Sequence, residues 1–207
     1  NVNARVLTNG FDLDDADSIS LESNDTQSNK NIKLVYTGSL YGGKRDLSVL
    51  FEAISSLAKR EKINKSIISI EYAGPDGEIL KRQAKKFHLD DLIFDHGILS
   101  RSEAVALQGQ SDICLLATWN SLEEQGVLTG KVFEYFMFKK PILSIVGGDL
   151  VGSEIGKVIE DIGAGHCCEL ANPESLLNLE KWLQKIINQK ISEGSVLSSY
   201  NSKVEDY

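Results

Sequence analysis

From Asn31 onward, short β-branched apolar runs alternate with longer stretches of helical period, and this alternation constrains the fold more than any other feature. The first run, Ile32-Lys33-Leu34-Val35-Tyr36-Thr37, ends at Gly38. Over residues 46–60, Leu47, Leu50, Phe51, Ile54, Leu57 and Ala58 recur at spacings of three and four, which predicts a helix with Asp46 as its N-cap. Further strands are expected at 67–73, 92–94, 112–117, 141–146 and 164–169. Helices are expected at 78–87, 102–108, 128–138, 151–161 and 173–189, the last with Pro173 in its first turn. Apolar strands separated by helices predict an α/β architecture, a doubly wound parallel sheet of about six strands covered on both faces, with right-handed crossovers. Such sheets bind ligands beyond the carboxyl ends of their strands, where the strand order reverses. The loops at 38–45, 74–77, 95–101 and 117–128 are therefore where a site is expected.

The organisation read from this pattern is a polar linker over 1–30, one domain over 31–190, and a polar, frayed tail over 191–207. The 207 residues carry 22 basic and 30 acidic side chains, a net charge of −8. That balance argues against a nucleic-acid binder, which needs a dense basic face, and leaves room for a local pocket holding one small phosphorylated ligand. No apolar stretch reaches the roughly 18 residues needed to cross a bilayer. The first residues, Asn1-Val2-Asn3-Ala4-Arg5, show neither a secretory pattern nor an initiator Met, so the chain reads as a piece of a longer one. Three cysteines make no disulfide framework, and Cys114 reads as a small core residue. His166, Cys167 and Cys168 are consecutive, so a strand points them to alternate faces and no metal site is expected. A cytoplasmic location is the simplest reading of the cysteine usage.

Two segments carry chemistry. In Gly38-Ser39-Leu40-Tyr41-Gly42-Gly43-Lys44-Arg45 a strand ends in a glycine-containing loop that opens a helix, a natural anion site to which Lys44 and Arg45 add charge. The second runs from Glu123 and Glu124 through Gly126-Val127-Leu128-Thr129-Gly130-Lys131 to Phe136. It is not a Walker loop, because the glycine spacing is short and Val132 stands where a Ser or Thr would hold magnesium. What remains is a helix N-terminus with Thr129 and Lys131 in its first turn. Glu134 is the one acid in the apolar run 132–138, and a carboxylate there needs a partner. Either it pairs with Lys131 three residues earlier, or it accepts hydroxyls of a sugar ring. Trp119 either lines a sugar pocket or covers the core.

Residues 126–145 (GVLTGKVFEYFMFKKPILSI), the loop Thr37-Gly38-Ser39-Leu40 and the segment Asn9-Gly10-Phe11-Asp12 resemble the nucleotide-sugar-binding half of family 4 glycosyltransferases, whose fold is called GT-B. The resemblance covers roughly 6–187, and its most specific part is Gly-Lys-x-x-Glu-Tyr followed by Lys-Pro-Ile-Leu. It implies a Rossmann-like domain forming one half of a GT-B fold, with Asn-Gly-x-Asp at the hinge to an N-terminal acceptor-binding domain that this chain lacks. It implies a nucleoside diphosphate-sugar as donor substrate, a UDP-sugar favoured over a GDP-sugar, and no other cofactor. Gly38, Ser39 and Lys44 or Arg45 would meet the donor diphosphate, as would the backbone and side chains of Val127, Leu128, Thr129 and Lys131. Glu134 would hold the ribose, and His96, Gly97, Ile98 and Leu99 fall where the base is held. The first Glu of the family's two-glutamate motif is replaced by Gly126, and Glu123 or Glu124 would have to supply that carboxylate.

The activity implied is retaining, metal-independent transfer of a hexosyl or N-acetylhexosaminyl group to an acceptor hydroxyl, in surface-polysaccharide assembly. A glycan or lipid-linked saccharide is the acceptor expected, with peripheral association at the inner face of a membrane in the lipid-linked case. Two other readings share the architecture: a non-catalytic nucleotide-sugar-binding domain, and a sugar-nucleotide epimerase needing an imidazole such as His96 near the sugar. A nicotinamide-dependent oxidoreductase lacks its Gly-x-Gly-x-x-Gly after the first strand.

Overall fold

The structure, a computed structural model, describes residues 30–124, 129–196 and 199–206. Six strands, β1 (Ile32–Thr37), β2 (Ile68–Ala73), β3 (Ile93–Asp95), β4 (Ile113–Trp119), β5 (Ile142–Gly147) and β6 (Gly165–Glu169), form one parallel sheet in the order β3-β2-β1-β4-β5-β6. The chain begins at the middle, builds to one edge through β3, then returns across β1 and builds the other edge from β4. Crossovers therefore leave β1 and β4 in opposite directions, and the carboxyl ends of these two neighbours open a crevice. This is the Rossmann-like α/β sheet expected from the strand and helix alternation.

The crossovers carry α1 (Ser48–Lys59), α2 (Gly77–Lys85), α3 (Arg101–Gly109), α4 (Lys131–Phe138) and α5 (Glu154–Ile162), and α6 (Ser175–Glu193) follows β6. Side chains alternate across the sheet, so β4 feeds two cores. Leu115 and Ala117 join Leu34, Ile70, Phe51, Ile54 and Leu183 on one face, while Cys114 and Leu116 join Ile142, Val132, Phe136 and Ile159 on the other. Burying a side chain such as Phe51 stabilises by roughly 1.5–3 kcal/mol, which is why the strands show continuous apolar runs. Burial pushes the Cys114 thiol up to about 12, so this cysteine is an inert core residue. Among the described residues no helix is long and apolar enough to cross a membrane.

Several element ends differ from expectation, each for a local reason. Helix α1 begins at Ser48 with Leu47 at the cap, and Asp46 Oδ1 accepts from Ser48 N at 2.7 Å from one residue further out. Leu47 N donates instead to Gln83 Oε1 of α2 at 3.1 Å, a tertiary bond that sets where the helix starts. Helix α4 starts at Lys131 after Gly130, not at 128, and α5 starts at Glu154 behind a Ser153 cap. Pro173 lies ahead of α6, whose cap is Glu174.

The described residues of the tail lie against the domain. Helix α6 continues to Glu193, and the chain then returns to the end of α5. Ser199 Oγ donates to Gly163 O (2.8 Å), Asn201 Nδ2 to Asp161 O (2.8 Å) and Asn201 N to Ile162 O (3.0 Å). These donors satisfy carbonyls that a helix end leaves open, and Val204 and Tyr200 fill the second core beside Phe136.

Candidate functional site

The site begins where β1 leaves the sheet. Gly38 turns the chain at φ +111°, a region that L side chains avoid, and its N–H donates to Ala73 O at 2.7 Å. A Cβ at this position would collide with Lys131 Nζ. Glycine thus lets an ammonium from α4 rest on the backbone of the first loop. Gly74 likewise allows the next loop to approach, since a Cβ there would strike Gly38 O and the Tyr72 hydroxyl.

The two loops are tied by a short network. Asp76 Oδ2 accepts from Ser39 Oγ (2.7 Å) and Leu40 N (2.6 Å), and Tyr72 donates its hydroxyl proton to Gly38 O (2.9 Å) while accepting from Asp76 N (2.9 Å). Burial raises the Tyr72 hydroxyl to about 12, so it stays a donor through the physiological range. Tyr36 stacks on Tyr72 and donates to Ser39 O at 3.1 Å. The loop is therefore preorganised by side chains from the sheet.

Three cations gather here. Arg45 is only 8% exposed; its guanidinium lies 4.4 Å from the Tyr41 ring centre and 5.9 Å from that of Trp119, and its Nε is buried without a partner. Burial, and next the Arg45 charge, hold the Lys131 ammonium below its ordinary range, against a smaller opposing pull from Glu134. Lys44 is engaged already: it pairs with Glu124 and sits 4.0 Å from the Trp119 ring. A desolvated positive region at the first turn of a helix is what an anion would relieve.

Beside it, at the β1/β4 reversal, lies a cleft of about 320 Å³ whose lining includes Thr37, Gly38, Gly74, Ile98, Arg101, Gln108, Lys131 and Glu134. Glu134 Oε2 accepts from Gln108 Nε2 at 3.3 Å, so its partner is an amide rather than the Lys131 considered from sequence. Ile98 is 81% exposed at the mouth.

Of the residues singled out in the sequence, Gly38, Lys131, Glu134 and Ile98 line this cleft, with Arg45 and Ser39 one layer behind. Leu99 lines it too. Gly97 supports it through its carbonyl, which accepts from Gly74 N at 2.8 Å. The imidazole of His96 turns to Glu71, with Nε2 2.7 Å from Oε2. Glu123 and Glu124 stand exposed on the loop after β4, and Thr129 precedes α4 with its Oγ1 buried and unpartnered. Val127 and Leu128, with Gly126, lie outside the described residues, as does the Asn9–Asp12 segment. Trp119 packs against Tyr41 and the two cations beside it. The structure adds Arg101 and Gln108, which carry no sequence motif and come together with Thr37 only in the cleft, and Asp76, which holds the Ser39–Leu40 loop behind it.

No protein-family model matches the chain, and neither does any curated protein sequence. Solved structures do. WaaG, a glycosyltransferase involved in lipopolysaccharide biosynthesis, is similar with a TM-score of 0.53 at 14% identity, over 79% of this chain and 40% of that one. A point mutant of TarM from S. aureus, in complex with Fondaparinux, alpha-GlcNAc-glycerol and UDP, gives 0.53 at 13%, over 80% and 30%. A trehalose-6-phosphate synthase studied for glycosyl transfer with retention gives 0.56 at 10%, over 89% and 45%. The chain spans less than half the length of each. At these identities what is shared is the fold, and these neighbours are glycosyltransferases.

Proposed function

We propose that this chain is the donor-binding domain of a retaining GT-B glycosyltransferase of family 4, acting on a nucleoside diphosphate-sugar. The observation that carries this reading is the arrangement at the β1/β4 reversal: the Lys131 ammonium on the Gly38 backbone, the Arg45 guanidinium behind it, and Glu134 in the same cleft. A diphosphate takes the cationic end, and the ribose hydroxyls donate to Glu134. The base then falls toward Ile98, Leu99 and Arg101. Thr129, and Val127 and Leu128 outside the described residues, complete the diphosphate cradle. A UDP-sugar is favoured over a GDP-sugar, in line with the UDP bound by TarM. The acceptor is a glycan or lipid-linked saccharide presented by an N-terminal domain, with surface-polysaccharide assembly in the cytoplasm or at the inner membrane face as the setting.

In this reading the protein acts on the leaving group. Negative charge grows on the diphosphate as the anomeric C–O bond stretches and the sugar becomes oxocarbenium-like. Fixed positive groups lower that barrier, each well-placed donor being worth roughly 10²–10³ in rate. Lys131, Arg45 and the N-terminus of α4 supply such a field without a bound cation. The Asp-x-Asp triplets of the sequence, Asp12-Leu13-Asp14 and Asp15-Ala16-Asp17, both precede the sheet. Metal independence is tested directly: sugar transfer by the parent enzyme should survive a chelator, and loss restored by manganese would overturn it.

The donor reading is tested by calorimetry of this chain with UDP, GDP and ADP. Binding of UDP that is lost in Glu134→Ala and weakened in Lys131→Met supports it; no heat with any of the three sinks it. One observation favours a second reading, a non-catalytic nucleotide-sugar-binding domain. Gly126 replaces the motif's first glutamate, and Glu124, the nearest described substitute, is held by Lys44. Detecting sugar transfer by the parent protein decides against it.

A further inference from the structure

Gln108 is a deeply buried polar side chain that the reading above does not use. It is 2% exposed, near the end of α3, and both hydrogens of its amide are committed. Nε2 donates to Thr37 Oγ1 at 2.8 Å and to Glu134 Oε2 at 3.3 Å, while its Oε1 is buried with no partner. One amide therefore joins the last residue of β1, the end of α3 and the carboxylate of α4, three elements that meet only at the strand-order reversal.

The chemistry of that link is specific. Gln108 offers Glu134 a neutral donor, which fixes the carboxylate without cancelling its charge, as a lysine or arginine partner would. It occupies Oε2, the oxygen of Glu134 that receives the amide, while the Lys131 ammonium acts on this carboxylate through charge. A carboxylate anchored through one oxygen can receive a hydroxyl in only a narrow range of directions. An orphaned Oε1 on Gln108 is also a cost that a purely structural core position would shed by carrying Leu or Met.

We propose that Gln108 is a positioning residue that aims Glu134 at the ribose hydroxyls and so sets the preference of this cleft for ribonucleotide over deoxyribonucleotide diphosphates. The inference rests on the donor-site reading, and the experiment separates the two. Binding of UDP and of its 2′,3′-dideoxy analogue is measured by calorimetry on the 207-residue chain, for wild type, Gln108→Leu and Thr37→Val. Thr37→Val is nearly isosteric and removes the anchor of the amide, so it serves if Gln108→Leu does not fold.

Wild type should prefer UDP over the dideoxy analogue by about tenfold, the scale of a charge-assisted hydrogen bond. Gln108→Leu should lose about fivefold in UDP affinity while binding of the dideoxy analogue changes less than about twofold, so that the preference collapses. Thr37→Val should shift the preference the same way. Equal losses for both nucleotides would mean a structural role and overturn the proposal, as would an unchanged preference in both variants. Wild type that binds both nucleotides equally would overturn the ribose role of Glu134 and this inference with it. Wild type that binds neither would overturn the donor reading itself.

Discussion

At the scale of single residues, the site is a compromise between charges that bind and charges that are tolerable when buried. Lys44 shows this from the exposed side: it pairs with Glu124, so under the proposed donor reading Glu124 competes with a diphosphate for this ammonium. Glu124→Gln should therefore tighten UDP binding by about two- to fivefold, and Lys44→Met should weaken it by a similar factor, since exposed pairs are worth under about 1 kcal/mol. Calorimetry at low and high salt checks this, and a loss of affinity in Glu124→Gln would show that the carboxylate contacts the ligand. Lys131 shows it from the buried side. Burial and the Arg45 charge disfavour its ammonium, so the folded chain carries this proton less willingly than the unfolded one. Lys131→Met should raise the melting temperature of the ligand-free chain by about 2–4 °C, some 1 kcal/mol, while UDP affinity falls at least about tenfold. A variant that melts lower than wild type would show that Lys131 is structural rather than held in readiness for an anion.

At the scale of elements, helix α3 places Arg101 and Gln108, and its start is fixed by a reciprocal cap. Ser100 Oγ accepts from Glu103 N at 3.3 Å, and Glu103 Oε2 accepts from Ser100 N at 2.9 Å. Those bonds from Ser100 hold the Glu103 carboxyl below its usual range. The sequence pattern places this helix at 102–108, and the Ser-x-x-Glu spacing of Ser100 and Glu103 is the signal that starts it earlier. Ser100→Ala should lower the melting temperature by about 2–4 °C at neutral pH, measured by circular dichroism. A Glu held low contributes stability above its unfolded pKa and loses it as pH falls through the folded value, so the difference should shrink below about pH 4. Helix α1 could not be started correctly from sequence, because Leu47 N finds its acceptor on Gln83, 36 residues away. Propensity and capping rules see only a few neighbouring residues, and this acceptor comes from another helix.

At the scale of the whole molecule, the second core and the sheet edge set stability, and His166 gives that stability a pH dependence. Its ring stacks on Trp182, its Nε2 is buried without a partner, and burial holds its pKa below the ordinary value. Below about pH 6.5 the unfolded chain takes up a proton that the folded chain refuses, so stability falls as pH drops from there to the folded pKa. Urea midpoints at about pH 7.5 and 5.5, either side of that value, should therefore differ less in His166→Phe than in wild type. An equal difference in both would place the acid sensitivity elsewhere. The sequence alone determined the α/β class, all six strands and the loops that could bear a site. It did so because an inner strand covered on both faces is mostly apolar, a helix on a sheet must repeat near 3.6 residues, and the short edge strands β3 and β6 are set off by the turns and helices around them. It also supplied Lys131, Glu134 and Arg45, since charge in or next to an apolar run stands out. The order β3-β2-β1-β4-β5-β6 was decided only in three dimensions, and with it the meeting of Thr37, Gln108 and Glu134. The tail's return onto α5 was decided there too. Local pattern records whether a residue faces a core, but strand order and the partner of a buried amide arise from contacts between distant segments, which leave no periodicity to read.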